Sequence, residues 1–131
     1  MIRVKATREG QIGNLTAIGF RVLDLKHPYQ LANWFVALPS RWALRRIVFV
    51  SNCANGRCCM APVGDLGPWN THDDQYVMHG ARPAAESGTD EQGRRTNGAG
   101  IDLSEAVWSY LRMTDNGDVE WEFITGPPAK G

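Results

Sequence analysis

The apolar residues of this 131-residue chain fall mostly at every second position, in short runs that 14 glycines and seven prolines interrupt before any becomes long. Alternation at period two buries one face of an extended strand, whereas an amphipathic helix needs apolar positions three and four apart. Ile2-Arg3-Val4-Lys5-Ala6-Thr7 predicts an opening strand on this rule, and Val119-Glu120-Trp121-Glu122-Phe123-Ile124 a closing one. Between them, Gln11-Ile12-Gly13-Asn14 reads as a turn. Ile18 to Leu25 is a strand candidate with a mixed pattern, ended by Pro28. Gln30 to Ala37 is a loop or a strand, and Pro39 to Arg45 forms one or two helical turns. Ser104 can cap a helix from Glu105 through Tyr110 or Leu111, which Asp115-Asn116-Gly117 stops. Many short strands with about two short helices predict a mainly β fold, closed as a small barrel and not a βαβ sheet.

The clearest local element is a hairpin. Arg46 to Ser51 and Cys58 to Val63 flank Asn55-Gly56, a pair that favours a two-residue type I′ turn. With that loop, Cys53 falls opposite Cys58 at a pair where side chains come close, so a Cys53–Cys58 disulfide is geometrically possible. The alternative is three reduced thiols with Cys59 or a neighbour buried. A zinc site is disfavoured, because three cysteines crowded on one hairpin lack a fourth ligand nearby.

Composition narrows the function classes. Lys+Arg and Asp+Glu number 14 each, for a formal net charge of zero. Nucleic acids and anionic membranes are held by a basic surplus or face, so neither is an expected partner. No apolar run approaches the ~18 residues of a membrane span. Met1 to Gly10 has no continuous apolar stretch to serve as a signal peptide. At 43% hydrophobic residues the chain can bury a core, and the expectation is one monomeric domain over residues 1–125 with a frayed tail at 126–131. From Gly64 to Gly100 the pattern dissolves into a long polar excursion, of the kind that carries function or mobility.

Two aspartates stand out. Asp65, in Gly64-Asp65-Leu66-Gly67-Pro68-Trp69-Asn70, leaves an apolar strand just before a Gly-Pro turn and an aromatic. Such a placement can hold a carboxylate at a cleft rim beside a flat platform for a sugar ring, or merely cap a turn. Asp102, in Gly100-Ile101-Asp102-Leu103-Ser104, lies between apolar residues and must be hydrogen-bonded, paired or raised in pKa. It either accepts backbone N–H bonds near the helix start or joins Asp65 in acid–base work on a glycosidic bond. His72, Asp73 and Asp74 read as a solvated loop, since three adjacent side chains cannot all face one ion. His27 and His79 have no nucleophile motif nearby, and Glu86, Asp90 and Glu91 read as solvated charges. No metal or cofactor is expected.

In order, Thr16-Ala17-Ile18-Gly19, Ala37-Leu38-Pro39, Val48 to Gly56, Asp65-Leu66-Gly67-Pro68-Trp69 and Gly100-Ile101-Asp102-Leu103-Ser104 resemble the double-psi β-barrel of rare lipoprotein A. That family reads T-A-S-G, T-L-P, a strand with an N-G hairpin, D-R-G-P-F, and I-D-L-S before a short helix. Expansin-like proteins share the barrel and its two Asp-bearing segments. The resemblance covers nearly the whole chain apart from an insertion at about 70–99. It implies a six-stranded double-psi barrel and, by analogy with the family's lytic transglycosylases, cleavage of peptidoglycan or another polysaccharide in the cell wall, periplasm or extracellular space.

Carried over residue by residue, Asp65 becomes the general acid/base and Asp102 the assisting carboxylate of the same groove. Thr7 matches a groove-lining Thr of expansin-like barrels. Trp69, Tyr76, Arg82 and Arg94 are the sugar-facing candidates of the insertion. Two departures remove a cation and an imidazole: Leu66 stands for the Arg of D-R-G-P-F, and Phe35 is nearest the family's His before L-P. The alternatives are a non-catalytic expansin-like glycan-binding or wall-loosening module, and a structural barrel within a phage or secreted assembly.

Overall fold

The computed structural model describes residues 1–9, 15–19 and 33–124. The turn predicted at 11–14, most of the strand predicted at 18–25, His27 and the tail at 126–131 lie outside them. Six strands run β1 Ile2–Glu9, β2 Val36–Leu38, β3 Ile47–Asn52, β4 Cys58–Leu66, β5 Ile101–Ser104 and β6 Gly117–Phe123. They close a barrel in the order β1-β5-β2-β4-β3-β6. The β1–β5 and β2–β4 pairs are parallel and the other four pairs antiparallel. The mainly β closed barrel expected from the alternating pattern is the fold found, with the six strands that the resemblance implies. Among the described residues, no helix is long and apolar enough to cross a membrane.

Alternation does the building. Val4, Ala6, Val36, Val48, Val50, Val63, Leu103 and Val119 all turn inward and are solvent-inaccessible or nearly so. Their neighbours in sequence face out, as the pleat requires. Below this core sits α2, Glu105–Tyr110, where the sequence places it. Ser104 Oγ accepts from the Val107 N–H at 3.4 Å and also from the Phe35 N–H at 3.2 Å, so one hydroxyl caps the helix and ties β5 to the approach of β2.

The hairpin departs from expectation. Ser51 pairs with Cys58, and Asn52 and Arg57 flank a four-residue turn over Cys53–Gly56. Asn52 and Asn55 both donate their side-chain amides to the Leu111 carbonyl, at 2.9 and 3.0 Å. Pinning the turn to the end of α2 takes a longer loop than the Asn-Gly pair alone would make. Cys53 therefore sits in the turn and not opposite Cys58, and the three thiols are free.

The stretch from Gly64 to Gly100 is more structured than its composition suggests. It continues β4 to Leu66 and then carries α1, Asp74–Val77, and a 3-10 turn at Ala84–Ser87. Polar contacts hold it: the Asp73 carboxylate accepts from the Ala84 N–H at 2.7 Å, and Ser40 Oγ donates to Asp74 at 2.6 Å. Glu91 accepts from Thr71 through both N–H and Oγ1 and pairs with His72 at 3.3 Å. The adjacent His72, Asp73 and Asp74 thus point to three different partners. Nor are Asp90 and Glu91 simply solvated. Asp90 is buried, pairs with the Arg94 guanidinium at 2.6 Å and accepts two backbone N–H groups.

Candidate functional site

Four neighbouring strands place the site. Thr7 on β1 pairs with Asp102 on β5, Asp102 pairs with Ala37 on β2, and Ala37 pairs with Asp65 on β4. The residues one step away, Leu103, Val36 and Val63, point into the barrel. Thr7, Asp102, Ala37 and Asp65 therefore form a row on the opposite face.

Asp65 reaches that row because of a bulge. Val36 pairs with Val63, but Ala37 pairs with Asp65, so Gly64 is an extra residue in β4. Without it Asp65 would alternate to the barrel interior; with it the carboxylate turns to the face of Asp102. Only glycine fits there, since a Cβ on Gly64 would lie 2.9 Å from Phe35 Cβ. Phe35, fully buried, is the cover over this bulge. Asp65 Oδ1 then accepts from the Ala17 and Leu66 N–H groups, both at 2.9 Å, which fixes the carboxylate's orientation. Beyond it, Gly67 at φ 130° runs so close that a Cβ there would sit 3.7 Å from Asp102 Oδ2.

Asp102 is buried, and the Thr7 hydroxyl donates to its Oδ1. Burial pushes its pKa up, the Thr7 hydrogen bond pulls it down and the Asp65 charge pushes it up again, leaving it at about 6. Two roles are open to Asp102, accepting backbone N–H bonds near the helix start or joining Asp65, and among the described residues its carboxylate has no backbone donor. Ser104 takes the capping role instead, and the aspartate is released to the groove side.

A third carboxyl belongs to the site, and the sequence reading passes over it. Glu9 lies two residues beyond Thr7 on β1, hence on the same face, opposite Ser104. Burial foremost, then the charges of Asp102 and Asp65, push its pKa up to about 9. Its Oε1 is buried and has no hydrogen-bond partner. The period-two step from Thr7 was the signal that could have found it. At neutral pH the site thus holds a protonated carboxyl, Glu9, beside a mainly ionised one, Asp102.

The insertion residues divide. Trp69, held at φ 67°, donates Nε1 to Asn97 Oδ1 at 3.0 Å, and the Arg94 guanidinium stands 6.0 Å from its ring centroid. Lys5 Nζ also reaches the Asn97 carbonyl at 2.9 Å, which joins this platform to β1. Arg82 is engaged with Glu86 through two bonds at 2.6 and 2.9 Å. Tyr76 must be corrected outright. It is 1% exposed, donates to the Gly100 carbonyl at 2.9 Å and accepts from Trp121 Nε1 at 2.8 Å, so it is core and cannot face a sugar. A depression of about 440 Å³ opens beside Thr7, Arg8, Asn97 and Trp108. A larger one, about 490 Å³, lies elsewhere, between the hairpin turn and the start of β6. Its lining supplies no acid–base cluster, and chemistry favours the carboxyl row over size.

Fold and site together define a closed, mixed six-stranded barrel with a three-carboxyl cluster carried on three of its strands, β1, β5 and β4. The family model of a domain of unknown function, DUF8814, matches residues 1–122, and the chain belongs to that family. No curated protein matches the chain.

Proposed function

We propose that this chain is a rare-lipoprotein-A-like double-psi barrel that cleaves peptidoglycan glycan strands as a lytic transglycosylase, acting in the cell wall, periplasm or extracellular space. The observation that supports this reading most is the convergence of Asp65 and Asp102 on one face, from separate strands and by way of a bulge. These are the two aspartates that the resemblance assigns to the groove. In the reaction, the protonated form of Asp65 gives its proton to the leaving oxygen as the glycosidic C–O bond breaks. The muramic 6-hydroxyl oxygen then bonds to the same anomeric carbon and returns its proton to Asp65. No external water enters, so one carboxyl serves as acid and then base. Asp102 orients and polarises the site, and Trp69 with Arg94 offers a flat, cationic flank for a neighbouring sugar.

The buried Phe35 favours a second reading, an expansin-like module that binds glycan without cutting it, because an apolar ring stands at the position where the resemblance puts an imidazole. Incubation with purified peptidoglycan sacculi, followed by sedimentation and mass spectrometry of the supernatant, separates the two. Anhydro-muropeptides are expected from the enzyme. Protein that sediments with sacculi and releases nothing supports the binding module.

A further inference from the structure

The Glu9 side chain is placed by strand alternation on the Thr7–Asp102 face, and its Oε1 is buried without a hydrogen-bond partner. Among the described residues, the charged groups acting on it are both negative, Asp102 from β5 and Asp65 from β4. Arg8, the adjacent cation on its own strand, alternates to the other side, pairs with Glu105 of α2 at 3.0 Å and stacks over Trp108. Neighbouring carboxyls resist ionising together, and the group with no hydrogen bond to its buried oxygen is the one that keeps its proton. A carboxyl in such a place opposes folding at neutral pH, because the unfolded chain would ionise it freely.

We propose that Glu9 is a positioning residue of the carboxyl site, a neutral acid held among carboxylates so that Asp65 and Asp102 face the groove with one repelling charge fewer. Its part in turnover rests on the glycan-cleaving reading; its protonation does not. Because its folded pKa lies above its unfolded one, the Glu9 contribution to stability is most favourable below about 4.5 and falls as pH rises to about 9. Ionisation near 9 adds a third negative charge and closes the site. Glu9→Gln keeps the shape and the neutrality, and removes both effects.

The test measures thermal melting of the wild type and Glu9→Gln between pH 4.5 and 9, with sacculus digestion over the same range. At pH 8 the variant is expected to melt above the wild type by about 5 °C or more, and at pH 4.5 the two should coincide. The wild-type digestion rate is expected to fall at least several-fold as pH passes 9, and that of Glu9→Gln to persist. Equal melting differences at both pH values overturn the proposal whatever the digestion shows. An alkaline limb shared by both proteins overturns the positioning role. The expected melting behaviour without any soluble product keeps Glu9 as the proton holder and sinks the glycan-cleaving reading instead. Should Glu9→Gln fail to fold, the wild-type urea midpoint from pH 7 to 9, above the Asp102 titration, decides: a continued fall supports the proposal, and a flat midpoint contradicts it.

Discussion

The Thr7 hydroxyl meets Asp102 because parallel pairing of β1 and β5 sets the two residues side by side. Its hydrogen bond favours the ionised carboxylate, against burial and the Asp65 charge. Thr7→Val is therefore expected to raise the Asp102 pKa above about 6, read from its carboxyl carbon shift by NMR titration. An unchanged value would mean that the hydroxyl contributes nothing to the ionised form. At this scale the sequence is a good guide to Asp65 and Asp102, whose segments are distinctive. It is a poor guide to Glu9 and Tyr76. Nothing local tells that Glu9 points at two aspartates 56 and 93 positions away, and a lone tyrosine in a polar loop carries no sign that the loop folds back over the barrel.

Among the elements, the bulge at Gly64 decides most. It is one residue long, yet it selects which face Asp65 occupies. Gly64→Ala drives a Cβ against Phe35 and is expected to cost about 1–3 kcal/mol in urea unfolding. Loss of activity should exceed what the unfolded fraction explains, because Asp65 moves with the bulge. Full activity and full stability would show that Phe35 gives way without cost. The α2 cap was legible because Ser104 before an apolar-periodic stretch has one usual meaning. The hairpin register was not, since Asn55-Gly56 is a strong local signal overridden by the contacts of Asn52 and Asn55 with Leu111. Local turn chemistry proposes a register, and tertiary hydrogen bonds can change it.

For the whole molecule, period-two alternation was enough to give the closed barrel, because six half-buried strands have few other ways to hide one face. The insertion was unreadable for the opposite reason: its order comes from carboxylate-to-backbone bonds and not from an apolar pattern. Tyr76 is its main anchor, packed edge-on to Trp121 at 5.9 Å between centroids. Tyr76→Phe strips the Gly100 carbonyl and the Trp121 N–H of a buried partner and should cost about 1–3 kcal/mol. A melting temperature within a degree or so of wild type would mean that the two hydroxyl hydrogen bonds contribute nothing and that ring packing and the other contacts hold the insertion. The insertion is thus fastened to the same sheet whose far face carries the carboxyls, and it brings Trp69 and Arg94 to the site's flank as a rigid feature.

The account stands most directly on proton exchange at Asp65. Wild type and Asp65→Asn, digested side by side with purified sacculi, test it. The amide keeps the acceptor oxygen for the Ala17 and Leu66 N–H groups, so the variant should fold as the wild type does. Anhydro-muropeptides from the wild type, and at least a hundredfold fewer from the folded variant, are the predicted result. Equal product from both proteins would contradict it.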